Sequence, residues 1–429
     1  MNRRQGPRIR ASFFFAFAML NCCLAAALAA PQPEDPPGKS EEGFEPLFSG
    51  KDLSGWVKEG EAGFEAKDGM IVCNGSGNWP TWLRTEEVFE NFILRLEFKT
   101  FYGAESGVFL HAPLHGRISK VGFEVQIGGS GRLGPHSTGA IFGAAAPLKQ
   151  AARHWADKEY DQLELAMDWP TLKVRLNGEL VQDLNCQQHE LLRGKPRLGY
   201  IGLQDRGKPV HFRNLRIKRL PDQVRSEWKP LFDGKSLDGW TVSDNCTASW
   251  EVDNDGVLVS ENGHGYLISD EQFRNLEFQT YFQTSHLANG GIFFGWQTGK
   301  GRGFEIQIED IPDSNDPSGS IYNRVRAKSM PYAPGEWVLM QVFLQGNHCA
   351  VRVNGETVAE SREMGARRLG SIALQMHRNN ALIRWKGMQV RRLPSPDDAA
   401  ASGTASAGRH KIGSVERRGR KTNLDCLTQ

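Results

Sequence analysis

Cysteine is sparse in this 429-residue chain, and where it occurs it follows no pattern. Cys22 and Cys23 fall in an N-terminal apolar run. The remaining five, Cys73, Cys186, Cys246, Cys349 and Cys426, are odd in number and widely spaced, which argues against a disulfide framework. No CxxC pair occurs, so a structural zinc site is not expected. Excess charge of one sign is missing too. A formal net charge of +2 gives the whole chain no strong pull toward nucleic acid or acidic membranes. No GxGxxG opens a helix, no HExxH is present and no Ser-His-Asp spacing is legible. The common nucleotide and peptidase chemistries are therefore disfavoured. Long helical periodicity is also lacking, and with 47 glycines and 11 tryptophans this points to an all-β, turn-rich protein.

The one long apolar run, Ala11–Ala30, follows a start that carries Arg3, Arg4, Arg8 and Arg10 and no acid. It ends in Ala27-Leu28-Ala29 and is followed by the proline-rich stretch Pro31–Pro37. That combination reads as a secretory signal peptide over 1–30, with cleavage favoured over retention as a membrane anchor. No stable membrane insertion is expected once it is removed. At the other end, residues 395–429 turn to Ala, Ser and Gly and then to Arg409, Lys411, Arg417, Arg418, Arg420 and Lys421, a composition expected of a disordered basic tail.

Between these ends the chain says nearly the same thing twice. Phe48-Ser49-Gly50-Lys51-Asp52-Leu53-Ser54-Gly55-Trp56 returns as Phe232-Asp233-Gly234-Lys235-Ser236-Leu237-Asp238-Gly239-Trp240. Gly122-Phe123-Glu124-Val125-Gln126-Ile127 returns as Gly303-Phe304-Glu305-Ile306-Gln307-Ile308, and Val174–Glu179 as Val351–Glu356. The matches keep one order, so the chain divides into a linker over 31–43, a first domain over 44–221 and a second over 228–394. A period this long means duplicated domains rather than a solenoid, whose repeats run to roughly 20–50 residues.

Within each copy the apolar pattern has a period of two. Phe92, Leu94, Leu96 and Phe98 alternate with Arg95, Glu97 and Lys99, as a half-buried antiparallel strand requires. Similar strand-length runs occupy Ser106–His111, Gly122–Ile127, Gln162–Met167, Thr171–Leu176, Tyr200–Gln204 and His211–Lys218. Asn177-Gly178 and Asn354-Gly355 read as type I′ hairpin turns between such runs. Strands with no helices to cover them must bury sheet against sheet, so the expected fold is a jelly-roll β-sandwich, twice. Lys149–Tyr160 and its counterpart Lys328–Trp337 are expected to be loops.

Strand alternation sends Phe123, Val125 and Ile127 inward and leaves Glu124 and Gln126 pointing outward together. The same pair returns as Glu305 and Gln307, which marks it as the strongest site candidate. A second group is Gln204-Asp205-Arg206 with Arg213, echoed by Gln375, His377 and Arg384. An arginine beside an amide and a carboxylate suits sugar hydroxyls or a developing oxyanion. His111 and His136 lie close enough in sequence to join the first group. Trp79, Trp82 and Trp296 could stack on sugar rings or serve the core. Asp310, Asp313 and Asp316 form an acidic loop that is expected to be a solvated turn.

Taken in order, Phe-x-Gly-Lys-x-Leu-x-Gly-Trp, Ser106–Leu110, Gly122–Ile127, Ser137–Gly143, Gly199–Gln204 and His211–Leu215 resemble the 3-keto-disaccharide hydrolase domain family. That resemblance implies two tandem concanavalin A-like jelly-roll domains in a secreted or periplasmic bacterial protein that acts on carbohydrate or a modified glycoside. It implies cleavage of a 3-keto-glycoside begun by removal of the C2 proton, with Glu124 as base, His111 as acid, and Gln126, Gln204 and Arg213 holding substrate. Glu305, His377, Gln307, Gln375 and Arg384 would form the second set. No metal ligands or cofactor are demanded, although the chemistry leaves room for a divalent metal as Lewis acid. The alternative is a non-catalytic carbohydrate-binding protein with two lectin-like domains.

Overall fold

The computed structural model describes residues 43–75, 81–128, 133–152, 159–297, 299–300, 302–311, 313–365 and 369–394. The expected leader, most of the linker, Trp79, Cys426 and the basic tail lie outside the described residues. In chain order the first half contains β1 (Glu45–Pro46), β2 (Trp56–Glu59), β3 (Phe64–Lys67), β4 (Met70–Cys73), β5 (Thr81–Phe89), β6 (Phe92–Thr100), β7 (Ser106–Ala112), the single helical turn α1 (Ile118–Val121), β8 (Phe123–Ile127), β9 (Asp161–Asp168), β10 (Thr171–Leu176), β11 (Glu179–Asn185), β12 (Gly199–Asp205) and β13 (Val210–Arg219). The second half contains β14 (Trp228–Pro230), β15 (Trp240–Val242), β16 (Ser249–Val252), β17 (Leu258–Phe273), β18 (Leu276–Thr284), β19 (Asn289–Gln297), β20 (Arg302–Glu309), β21 (Val338–Gln345), β22 (His348–Val353), β23 (Glu356–Ser361) and β24 (Gly370–Arg392).

The first half is a two-layer sandwich. One layer runs β11-β10-β9-β6-β13-β4-β3, with β1 on β13, and the other runs β2-β5-β12-β7-β8. The period-two pattern of β6 is the reason for its place: Phe92, Leu94, Leu96 and Phe98 are buried in the core shared by both layers. Burying each such side chain contributes about 1.5–3 kcal/mol. The second half repeats the arrangement as one 11-stranded ladder, because β17 and β24 are long enough to run through both layers. The lower-numbered part of β24 pairs with β19, and the part beyond Leu382 pairs with β18. Both halves are jelly-roll β-sandwiches, as the alternation and the turns implied.

The hairpin turns follow from their residues. Asn177 and Gly178 have φ of 51° and 83°, and Asn354 and Gly355 have φ of 46° and 81°. Two successive positive φ values are what a type I′ turn needs, and Asn-Gly supplies them at low strain. Lys328–Trp337 contains no helix, nor do the described ends of the Lys149–Tyr160 stretch. Among the described residues no helix is long and apolar enough to cross a membrane.

The short connection between the sandwiches is strapped to the first one. The Glu90 carboxylate, fully buried, accepts hydrogen bonds from the backbone N–H groups of Gln223 (3.0 Å), Val224 (2.9 Å) and Arg225 (2.7 Å). Arg197 reaches the same carboxylate at 3.3 Å. The connection is thus an ordered strap, held by a residue more than 130 positions away in sequence.

Candidate functional site

Glu124 and Gln126 occupy β8, whose backbone is fixed on both sides. One side pairs with β7, placing Phe109 opposite Glu124 and Gly107 opposite Gln126. On the other side, Gln126 N–H donates to Ala140 O and Phe142 N–H to Glu124 O, both at 2.9 Å. Phe123, Val125 and Ile127 point into the core, and the two polar side chains point out of the sandwich. They are not solvated, however. Each is only 1% exposed, because α1 and the loop leading to it lie over the outer face of the sheet.

The sheet order brings further groups into register. Gln204 on β12 lies opposite Trp82 on β5, and the β12–β7 pairing brings Gln204 beside Gly107. A row therefore crosses four strands: Trp82, Gln204, Gly107, Gln126. The second sandwich repeats it with Tyr266, Gln375, Gly291 and Gln307. The glycine is required in both. A Cβ on Gly107 would stand 2.7 Å from Glu124 Oε1, and one on Gly291 would collide with Glu305 Oε1, so each glutamate lies across the bare backbone of its neighbouring strand.

In the first sandwich Glu124 and Gln204 open on a cavity of about 570 Å³ that is also lined by Arg117, Ile118, Ser119, Phe142 and Arg206, among others. Glu124 Oε1, both amide atoms of Gln126 and Gln204 Oε1 are buried without a hydrogen-bond partner among the described residues. Buried polar groups are paired in the great majority of cases, so four orphaned atoms on neighbouring strands suit a polar ligand. Burial pushes the Glu124 carboxyl above the usual carboxylate range, while Ser119, Arg206, Gln204 and Lys195 pull the other way. Lys195 is itself buried, and burial brings its ammonium down to about 8. It donates to the carbonyls of Lys120 (2.8 Å) and Gly122, which fastens α1 over the cavity.

Four of the expected site residues, His111, Arg213, Arg384 and His377, fall elsewhere. His111 is fully buried away from the cavity, with φ of 49° and its ring between Phe92 and Phe123. Its ring nitrogens face Pro196 O (3.0 Å) and Glu90 O (2.6 Å), and burial lowers its pKa to about 4, so it is structural rather than an acid for a substrate. Arg213 lies on β13, in the opposite layer. After Asp205 the chain turns at Gly207 and crosses the sandwich, so Arg213 faces outward, bonded to Glu97 (2.7 Å) and over the Tyr160 ring. Arg384 is its counterpart, exposed between the core residues Ile383 and Trp385 in the part of β24 that pairs with β18. Closeness in sequence to Gln204 and Gln375 is undone by the crossover between layers.

In the second sandwich Glu305, Gln307 and Gln375 share one face, and the Gln375 amide donates to Tyr266 Oη at 3.1 Å. His377 lies farther along, paired with His264, in the row of Asn289 and Glu309. That is four residues from the Glu305 row, roughly 13 Å at strand spacing, and out of reach of Glu305. Burial, and then the neighbouring carboxylates of Asp316 and Glu309, raise Glu305 to about 7. The acidic loop is partly structural: Asp310 is buried and accepts from Tyr332 Oη (2.6 Å) and Thr284 Oγ1. A cavity of about 360 Å³ in this half, lined by His286, Asp310, Asp313 and Lys328, does not include Glu305.

The sequence reading missed Gly107, Ser119 and Lys195, whereas Arg206, named with Gln204, does line the cavity. Gly107 left a signal, since a mid-strand glycine is kept opposite the Glu/Gln strand in both copies. Trp82 and Trp296 take the second of the two roles offered for them, each in a small hydrophobic core cluster. Both are nearly buried on the site face, Trp82 edge-on to Phe109 (5.7 Å) and Trp296 against Tyr266 (4.4 Å). His136 lies against Phe142 at 6.2 Å.

Two jelly-roll sandwiches, each with a Glu/Gln pair laid across a neighbouring glycine and one with a roofed polar cavity, define a tandem jelly-roll protein with a candidate ligand site. The chain belongs to the 3-keto-alpha-glucoside-1,2-lyase-like domain family, whose sequence profile matches residues 43–218 and 227–391. It is 24% identical over 239 residues to a 3-keto-disaccharide hydrolase of Bacteroides thetaiotaomicron, covering 42% of this chain and 79% of that one. Among solved structures it is similar to a candidate glycosyl hydrolase from Parabacteroides distasonis, with 21% identity, TM-score 0.37, and 42% and 95% of the two chains covered. It is also similar to a Bacillus licheniformis β-glucanase, with 11% identity, TM-score 0.31, and 39% and 97% covered.

Proposed function

We propose that the first sandwich cleaves 3-keto-glycosides, with Glu124 as the base. The observation that carries this reading is the pair of unpartnered polar atoms on Glu124 and Gln204 lining one cavity, with the unpartnered Gln126 amide buried beside them on β8. A ketone at C3 acidifies the C2 proton. Glu124 takes that proton, the electron pair passes through the C2–C3 bond to the ketone oxygen, and the amide N–H groups of Gln126 hold the resulting enolate. When the enolate collapses, the C1–O bond breaks with its electron pair on the leaving oxygen, and the Glu124 carboxylic acid returns the proton to it. Water adding across the C1–C2 double bond completes net hydrolysis. A base kept above the ordinary carboxylate range by burial suits both halves of this cycle. The Bacteroides relative, named a 3-keto-disaccharide hydrolase, and the family's description support the substrate class. The arginine-rich start and apolar run support export to the periplasm or beyond, with residues 1–30 removed. N-terminal sequencing of the exported protein tests the cleavage.

The test of activity is to incubate the protein with a 3-keto-glucoside and with its unoxidised parent. Turnover of the keto sugar alone, abolished by Glu124→Gln and retained by Glu305→Gln, is expected. Binding of the unoxidised sugar with no turnover of either would overturn the reading in favour of a lectin.

A further inference from the structure

The roof of the first cavity is built from one sandwich and held by both. Residues 113–122 cross the outer face above Glu124 and supply Arg117, Ile118, Ser119 and Lys120 to the cavity lining. Ser119 lies beside Glu124 and favours its charged form. Lys195 fastens this segment from within the first sandwich. Ile118 packs with Trp82 and Phe109 of the same sandwich, and further anchors come from across the interface. Leu114 N–H donates to Tyr281 Oη at 2.8 Å, and the His115 ring stacks on Trp337 (5.8 Å, 19° between planes) and meets Tyr281 edge-on. Lys120 Nζ pairs with Glu356 at 2.9 Å. The β22–β23 turn fits so closely that a Cβ on Gly355 would lie 2.8 Å from Val121 Cα, and one on Gly116 would stand 2.5 Å from Asn354 Oδ1.

We infer that the second sandwich is a positioning part of the first site: Tyr281, Trp337, Asn354 and Glu356 hold residues 113–122 closed over Glu124. None of the four touches the cavity, so each acts through the roof. The contacts are of kinds that keep a segment in one place, a hydrogen bond to a buried phenol, a flat ring stack and a backbone-to-backbone fit. A four-residue helical turn has too few internal hydrogen bonds to stay formed alone, so its place depends on what it packs against. Burial lowers the His115 pKa to about 4 and drives that of Tyr281 well above the usual phenol range. This rests on the proposal that the Glu124 cavity is the working site. It assigns the second copy a task that requires no activity of its own.

The test uses the full chain and the double variant Tyr281→Phe/Glu356→Gln, which removes one hydrogen bond and one ion pair without altering shape. Thr241→Ala, an exposed change elsewhere on the second sandwich, is the control. Hydrogen exchange needs no substrate, and the amides of Lys120, Val121 and Gly122 bond to Arg117 O and Ile118 O within the roof. These amides are expected to exchange about tenfold faster in the double variant and at the parent rate in the control. With a 3-keto-glucoside, kcat is expected to fall about tenfold, and the ascending limb of the pH profile to move toward lower pH as water reaches Glu124. Unchanged exchange at all three amides overturns the inference, as does faster exchange with kcat and pH profile intact. If the parent protein turns over no keto sugar while exchange responds as expected, the proposed reaction fails and the roof assignment stands.

Discussion

At the scale of single residues, Glu124 is subject to two opposed influences. Burial disfavours its charged form, and Ser119, Arg206, Gln204 and Lys195 favour it, with burial the larger. As the proposed base it must be ionised, so kcat should rise with pH through an apparent pKa above the ordinary value of about 4.3 for glutamate. Glu124→Gln should lower kcat by about 10²–10⁴-fold with little change in KM, measured by steady-state kinetics. The same burial has a consequence for stability. A carboxyl whose pKa is raised by folding contributes fully below its unfolded value, and that contribution is lost as pH climbs through the folded value. For Glu305 this window runs from about 4.5 to about 7. Glu305→Gln should therefore leave Tm unchanged at pH 4 and raise it by a few degrees at pH 8, corresponding to about 1–3 kcal/mol. Thermal unfolding at the two pH values checks the sign. Gln126 offers a complementary case, because both its amide atoms are buried and unpartnered. Gln126→Leu should raise stability by about 1–2 kcal/mol while abolishing turnover, a combination a purely structural glutamine would not give. Denaturant unfolding alongside kinetics separates the two.

At the scale of elements, much of the architecture was legible because β-strands write their burial into the sequence with a period of two. β6, β9 and β10 fall where alternation placed them, and the Asn-Gly turns have the positive φ values their residues allow. The strand of Glu124 was assigned its inward and outward faces correctly from Phe123, Val125 and Ile127. What alternation could not show is that the outward face is covered. That depends on α1, four residues long, whose position is set by packing and leaves no periodic signal. The close approach of Glu124 to Gly107 is a property of paired strands, and it yields a prediction at this scale. Gly107→Ala should push the carboxylate aside, reducing kcat about 10–100-fold and stability by about 1–3 kcal/mol, read from kinetics and unfolding together. Placing Arg213 and Arg384 beside Gln204 and Gln375 went wrong at this same scale. The residues are neighbours in sequence, but the chain crosses from one layer to the other between them.

At the scale of the whole molecule, the linker is where the two sandwiches become one object. Glu90 receives three successive backbone N–H groups of the strap and the Arg197 guanidinium. Removing the carboxylate leaves those donors without their acceptor. Glu90→Ala should cost about 2–4 kcal/mol and expose the strap, so that trypsin cuts after Arg225 faster than in the parent protein. Limited proteolysis with mass spectrometry provides the check. Cleavage at an unchanged rate would show that the strap is held by other contacts.

The sequence by itself determined the duplication, the all-β class, the turn positions and the Glu/Gln pair of each copy, because each rests on short-range pattern and local backbone preference. The tertiary structure decided which of those polar residues meet. It set Gln204 beside Glu124 and Gln126, removed Arg213 and His111 from their company, and closed one of the two faces with a roof leaning on the other domain. Those outcomes depend on layer crossings and contacts between residues far apart in the chain, and no local pattern of side chains encodes them.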